Sequence, residues 1–125
     1  MYVFIKVTSD RAREIEQSTR DQANSTAWHE ERRWRITASR FGDIALATDR
    51  RYREKLCQSL LNTPFFWSVA TAHGKRYESV ARNTFSRLFD IEVKPAGFFV
   101  CVERPWLGAS PDGIIDNDRI IEIKT

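Results

Sequence analysis

The chain has 125 residues, 42% hydrophobic and 12% aromatic, a composition that sustains a buried core of ordinary size and excludes wholesale disorder. Charged residues reach 30% and the formal net charge is +3, a mild excess that permits a polyanionic partner without requiring one. The two cysteines, Cys57 and Cys101, stand far apart with no CxxC spacing, which excludes a cysteine zinc site and a disulfide framework and suits free thiols in a reducing compartment.

Residues Tyr2 to Val7 alternate as a short edge strand does. The run is far too short for a signal-peptide core or a membrane span, so an intracellular protein, cytoplasmic or nuclear rather than secreted, is expected. Ser9 or Asp10 caps a polar helix to about Gln22, with Ile15 its one large apolar anchor, and Asn24-Ser25-Thr26 reads as a loop. From Trp28 the chain turns helical and basic through Arg32, Arg33 and Arg35. Thr37 is the expected N-cap of a helix over Ala38 to Ala47, in which Phe41, Ile44 and Leu46 supply apolar contacts. A basic helix follows from Arg50 to Leu61, with Tyr52, Leu56 and Leu60 at helical spacing, and Asn62-Thr63-Pro64 stops it. Its Arg50, Arg51, Arg53 and Lys55 read by default as a solvated face.

Phe65-Phe66-Trp67 reads as an aromatic plug between helices. A long helix then runs from about Ser68 to Phe89, where Val69, Ala72, Arg76, Val80, Phe85 and Leu88 make a rough buried stripe. Gly74 interrupts this helix at a cost of about 1 kcal/mol. After Asp90 the period becomes strand-like: Ile91 to Val93, Phe98 to Val102, Trp106 to Ala109, Asp112 to Asp116 and Ile120 to Lys124, with a tight turn at Asn117-Asp118. Helices followed by a meander of strands indicate an α+β fold, N-terminal helices and then a mixed β-sheet. The chain stops at Lys124-Thr125, inside what reads as a core strand. That points to a single domain over residues 1–125 whose C-terminal part is missing.

The stretch Ser110-Pro111-Asp112-Gly113-Ile114-Ile115-Asp116, followed by Ile121-Glu122-Ile123-Lys124, carries the most information. Side chains two apart on a strand share a face, so Glu122 and Lys124 lie together and Ile121 and Ile123 face the other way. A charged pair on an otherwise apolar strand is expensive unless the strand is solvated or the pair has a task. Both readings stand on that pattern alone. Asp112 lies ten positions before Glu122, and a hairpin turning at Asn117-Asp118 would bring it opposite Glu122 to Lys124. Two carboxylates and an ammonium would then converge. Such carboxylates suit Mg²⁺, which activates water and neutralises a phosphodiester, and a nearby lysine steadies the anionic transition state.

Asp followed by Glu-x-Lys resembles the degenerate signature of the PD-(D/E)xK nuclease superfamily. Three further motifs stand in register with it: His73-Gly74-Lys75-Arg76-Tyr77-Glu78, then Trp106-Leu107-Gly108-Ala109-Ser110-Pro111-Asp112-Gly113, and upstream the segment from Trp28-His29-Glu30-Glu31-Arg32-Arg33-Trp34-Arg35 to Ile36-Thr37-Ala38-Ser39-Arg40-Phe41-Gly42. Together they resemble the YqaJ-like viral recombinase family, relatives of phage lambda exonuclease, over about Asp10 to Thr125.

The resemblance implies an α/β/α restriction-endonuclease-like core. It implies a Mg²⁺-dependent 5′ to 3′ exonuclease on linear double-stranded DNA, acting in recombination or repair, with Mn²⁺ a substitute. One or two ions would be held by Glu78, Asp112, Glu122 and the Ile123 main-chain carbonyl, with Lys124 positioning the attacking water. Arg32 and Ser39 would receive the 5′-terminal phosphate, consistent with the way a guanidinium forks onto phosphate oxygens. His73 and Arg35 are candidate further DNA contacts; His73 serves equally well as a packing residue, and Arg32 taken alone reads as a solvated helix residue. Trp28 reads as packing, and Asp116 as a hairpin-end acid that binds nothing. Double-stranded DNA ends are the implied partner, together with a single-strand annealing or recombinase protein and a homo-oligomer, a ring of three in relatives. The alternatives are an inactive DNA-binding fragment, a remnant of a mobile-element or viral nuclease without DNA affinity, and an endonuclease of the same fold.

Overall fold

The computed structural model describes residues 6–47, 50–62 and 69–124. The expected strand over Tyr2 to Val7 falls mainly outside these residues, as do the Phe65-Phe66-Trp67 cluster and most of the Asn62-Thr63-Pro64 stop. Two compact units emerge, Met1–Thr63 with Gly97–Ser110 and Pro64–Ala96 with Pro111–Thr125. No helix among the described residues is long and apolar enough to cross a membrane.

In the first unit, α1 (Ser9–Ser18) is followed by a 3₁₀ turn at Gln22–Asn24, then α2 (Thr26–Arg33), β1 (Ile36–Thr37), α3 (Ala38–Ala45) and α4 (Arg50–Asn62). The strands β2 (Phe99–Val100) and β3 (Leu107–Ala109) complete it. Thr8, one residue before the expected cap, starts α1 by accepting from the Arg11 N–H at 3.1 Å. The helix ends at Ser18 rather than Gln22, because the Thr19 C-cap leaves helical geometry at φ −116° and turns its N–H to the Glu16 carbonyl at 3.3 Å. Ser25 caps α2 by accepting from the Trp28 N–H at 3.3 Å. Thr37 does occupy the N-cap position of α3, but its side chain makes no capping bond.

The sheet of this unit has the order β1-β3-β2, with β1 parallel and β2 antiparallel to β3. Its register places Thr37 and Val100 on either side of Gly108. That glycine is required by packing, since a Cβ there would lie 2.1 Å from Cζ of Phe98. Phe98 is fully buried and forms the core with Val7, Ile15 and Val100, against which Ala12 and Trp28 pack. Ile15 therefore acts as the anchor its sequence context suggests.

Polar groups complete the attachment of α1. The Thr19 hydroxyl donates to the Ile15 carbonyl at 2.6 Å and accepts from the Phe98 N–H at 2.7 Å. Glu16 accepts from the Gly97 N–H at 2.9 Å while Arg20 pairs with its carboxylate at 2.7 Å. Helix α3 lies over β1 and β3 and also touches α4. Its expected apolar contacts are only partly made: Leu46 is 80% exposed, and Phe41 lines an open apolar groove with Ile36, Phe99, Cys101 and Leu107. The groove is wide enough that Phe41 reaches its wall without being covered.

The second unit holds α5 (Val69–Phe89) and the antiparallel pair β4 (Gly113–Ile114) and β5 (Ile120–Ile121). Asp90 ends α5 with a φ of 51°, and the Ile91 N–H returns to the Ser86 carbonyl at 3.2 Å, a left-handed C-terminal cap. The expected buried stripe on α5 is not formed where it is described: Val80 is exposed and Leu88 is 73% exposed, while Phe85 stacks on Phe89 with ring centroids 4.9 Å apart. Helical spacing selects a face, but Val80 and Leu88 on it stay uncovered among the described residues. The expected strand at Ile91 to Val93 reduces to one antiparallel bridge, Lys94 to Ile114.

Candidate functional site

The hairpin that ends the described chain is built by its turn. The Ile115 N–H donates to the Arg119 carbonyl at 3.0 Å, and the Asp116 carboxylate accepts from the Asp118 N–H at 3.2 Å. Asp116 also pairs with Arg119 at 2.6 Å. That hydrogen-bonded cation, chiefly, pulls the Asp116 pKa down to about 2. Asp116 is thus committed to the turn.

The register pairs Gly113 with Ile121; continued by one step it sets Asp112 across from Glu122. The Asp112 N–H donates to the Ile121 carbonyl at 3.1 Å, and Asp112 Oδ2 accepts from the Ile123 N–H at 2.6 Å. A carboxylate therefore replaces a backbone acceptor where the ladder ends. Exposure alternates along the segment: Glu122 and Lys124 are exposed, and Ile121 and Ile123 are half-buried, the face division expected of an extended strand.

Partial desolvation, and then the neighbouring Asp112 carboxylate, push Glu122 above the usual carboxylate range, against the opposing pull of Lys124. Asp112, Glu122 and Lys124 are therefore one electrostatic group.

Glu78 approaches from α5 and is half-buried. Its Oε1 accepts from Nη1 of Arg82 at 2.9 Å, and the same nitrogen donates to the Asp112 main-chain carbonyl at 2.9 Å. The sequence reading missed Arg82. Its signal was present as an Arg one helical turn after an acid, a spacing that more often marks a surface pair. Among the described residues no three His, Cys, Asp or Glu side chains are grouped closely enough to hold a metal ion. The donor chemistry nevertheless fits a hard divalent cation. Asp112 and Glu122 offer carboxylate oxygens whose mutual repulsion a cation would relieve, and such ions complete their shells with water. The backbone of His73 lies on α5, and its side chain is outside the described residues.

In the first unit, Arg32 on α2 stacks over the Trp28 ring at 4.1 Å. Its Nη2 reaches Ser39 Oγ at 3.5 Å, and Ser39 Oγ lies 3.0 Å from Thr37 Oγ1. Burial lowers the Arg32 pKa. The structure thus brings Arg32 and Ser39 together at the start of α3. Trp28 is held beneath by packing on the core and by its Nε1 donating to Ser110 Oγ at 2.9 Å.

Arg35 is engaged by protein partners. Its side chain is 7% exposed and bound to Glu31 at 2.6 Å, and its Nε donates to the Pro105 carbonyl at 2.8 Å. A guanidinium so enclosed ties α2 to the loop before β3. The basic residues around Trp34 obscured this, because sequence shows charge but not burial.

No curated protein and no solved structure matches the chain significantly. A family model does, the YqaJ-like viral recombinase domain, over residues 27–125. The match begins after α1, later than the motif reading from about Asp10, and takes in both candidate sites. This family has the restriction-endonuclease-like fold and is of metal-dependent nuclease type, in keeping with the helices and the small mixed sheet described above. The chain belongs to the YqaJ-like viral recombinase domain family, within the PD-(D/E)xK nuclease superfamily.

Proposed function

We propose that this chain is the nuclease domain of a Mg²⁺-dependent 5′ to 3′ exonuclease acting on linear double-stranded DNA in recombination or repair. The observation that carries the reading is the hairpin register that sets Asp112 across from Glu122, with Asp112 Oδ2 held by the Ile123 N–H, in a chain of this family. When bound, a divalent cation supplies an activated water and charge neutralisation at the scissile phosphate.

The residues supply the rest. Asp112, Glu122 and the Ile123 carbonyl offer oxygen donors, with Glu78 as the acid from the helix. The Ile123 N–H fixes the Asp112 carboxylate through Oδ2, which leaves its geometry little freedom. Lys124 orients the attacking water and offsets charge developing on the phosphate oxygens.

Arg32 and Ser39 receive the 5′-terminal phosphate. Arg32 is half-buried, rests on Trp28, and has no carboxylate partner among the described residues. A guanidinium so placed gains from an incoming anion, and the hydroxyl of Ser39 adds a donor. His73 is a further candidate DNA contact. Duplex DNA ends are the proposed substrate and partner, Mn²⁺ a substitute for Mg²⁺, and a self-association like the ring of its relatives would enclose the duplex.

The test is digestion of linear duplex with and without a 5′-phosphate, beside a closed circular duplex, in Mg²⁺ or Mn²⁺. Linear DNA is expected to be degraded and circular DNA spared, with the loss of all cleavage in Glu122→Gln and Lys124→Ala. Arg32→Ala is expected to reduce the preference for phosphorylated ends. Unchanged digestion by the first two variants would remove these residues from the reaction, and cutting of the circle would make the enzyme an endonuclease. Salt-sensitive DNA binding with no metal-dependent cleavage would leave a binding module instead.

A further inference from the structure

We propose that Arg82 is a positioning residue that holds the Glu78 carboxylate in place relative to Asp112 and thereby sets how tightly the acidic site takes a divalent cation. The proposal rests on the nuclease reading above.

The geometry is specific. One nitrogen, Nη1, donates to Glu78 Oε1 and to the Asp112 carbonyl, each at 2.9 Å. The first bond is a helical i,i+4 pair, which on an open surface contributes little. The second crosses to the strand that carries Asp112, and it changes what the pair does. Arg82 fastens the α5 acid to the main chain of the hairpin acid.

Two features make this fastening matter. Among the described residues of α5, Tyr77, Val80, Leu88 and Phe89 are all exposed. The Arg82 bridge adds a polar tie between Glu78 and the main chain at Asp112. The tie also spares the Asp112 side chain: Arg82 takes the main-chain carbonyl, while Asp112 Oδ2 is oriented separately by the Ile123 N–H. Partners that orient metal-binding carboxylates have a recognised leverage, typically ten- to a hundredfold in metal affinity.

The experiment measures Mn²⁺ binding to the full chain without DNA, by the loss of the free-ion signal in electron paramagnetic resonance. Arg82→Met keeps the aliphatic stem and removes the donors. Arg82→Lys keeps the charge but loses the planar guanidinium fork. We expect Arg82→Met to weaken Mn²⁺ binding about tenfold and Arg82→Lys to restore only part of it. In a Glu78→Gln background, Arg82→Met is expected to change binding less than about twofold, because the carboxylate it positions is already gone.

Equal losses in both backgrounds would assign Arg82 a general charge or folding effect and overturn the proposal, as would unchanged or tighter binding in Arg82→Met. If Arg82→Met does not fold, the Arg82→Lys cycle with Glu78→Gln decides by the same criterion. A wild-type chain that binds no Mn²⁺ would overturn both the nuclease reading and this one, whereas wild-type binding that is indifferent to Arg82 overturns this one alone.

Discussion

Thr19→Val isolates the polar lock on α1. Thr19 is fully buried, and its hydroxyl accepts from the Phe98 N–H at 2.7 Å while donating to the Ile15 carbonyl at 2.6 Å. Valine matches the shape and fills the same space, so packing is kept and only the hydroxyl is lost. The Phe98 N–H is then buried beside the core phenylalanine without its partner, and water cannot reach a position with no exposure. An unsatisfied buried donor costs about 1–3 kcal/mol. Taking about 2 kcal/mol and an m-value of about 2 kcal/mol/M, the urea midpoint should fall by about 1 M. The assay is urea unfolding followed by tryptophan fluorescence, to which Trp28 contributes from the edge of the same core. Thr19→Ser is the control: it keeps both hydrogen bonds and loses one methyl, about 0.8 kcal/mol. A Thr19→Val variant within about 0.5 kcal/mol of wild type, or one more stable than Thr19→Ser, would refute the argument that this hydroxyl is the attachment.

Two further outcomes follow from the same geometry. Arg20 chiefly, joined by the Gly97 N–H and opposed by burial, lowers the Glu16 pKa. A depressed folded value means that stability is fully present above the unfolded value of about 4.3 and is lost as pH falls through the lowered one. Stability measured by urea unfolding should therefore decline below about pH 4.3, and Glu16→Gln should flatten that decline; an identical pH slope in the variant would remove Glu16 from it. At Gly113, an added Cβ would stand 2.5 Å from Val93 Cγ1 and 2.9 Å from Ile121 Cγ2. Gly113→Ala should cost about 1–3 kcal/mol by overpacking and shift the hairpin that aligns Asp112 with Glu122. Thermal midpoint and cleavage rate should fall together, and a variant normal in both would show that the hairpin absorbs the methyl.

The part of the candidate site that was legible in the sequence is the part that is costly to place by accident. Glu122 and Lys124 interrupt an isoleucine run, so a period of two already separates a charged face from an apolar one, and the turn residues at 116–119 fix where Asp112 returns. That information is local, and the observed alternation of exposure along 120–124 carries it into the structure. The buried stripe on α5 is absent at Val80 and Leu88 for the complementary reason. Period alone locates a face but cannot say whether anything covers it, and Leu88 is left in the open. The cap of α1 differed by one residue because Thr8, Ser9 and Asp10 all offer a side-chain oxygen. Glu16, Thr19, Arg35 and Arg82 were invisible on other grounds. Each is a residue type that sits cheaply on a solvated helix, and each gains its role from a partner far along the chain: Gly97, Phe98, Pro105 and the Asp112 carbonyl. Residues that would perform chemistry announced themselves by being out of place, whereas those that hold the elements in position look ordinary until the fold supplies the second half of the bond.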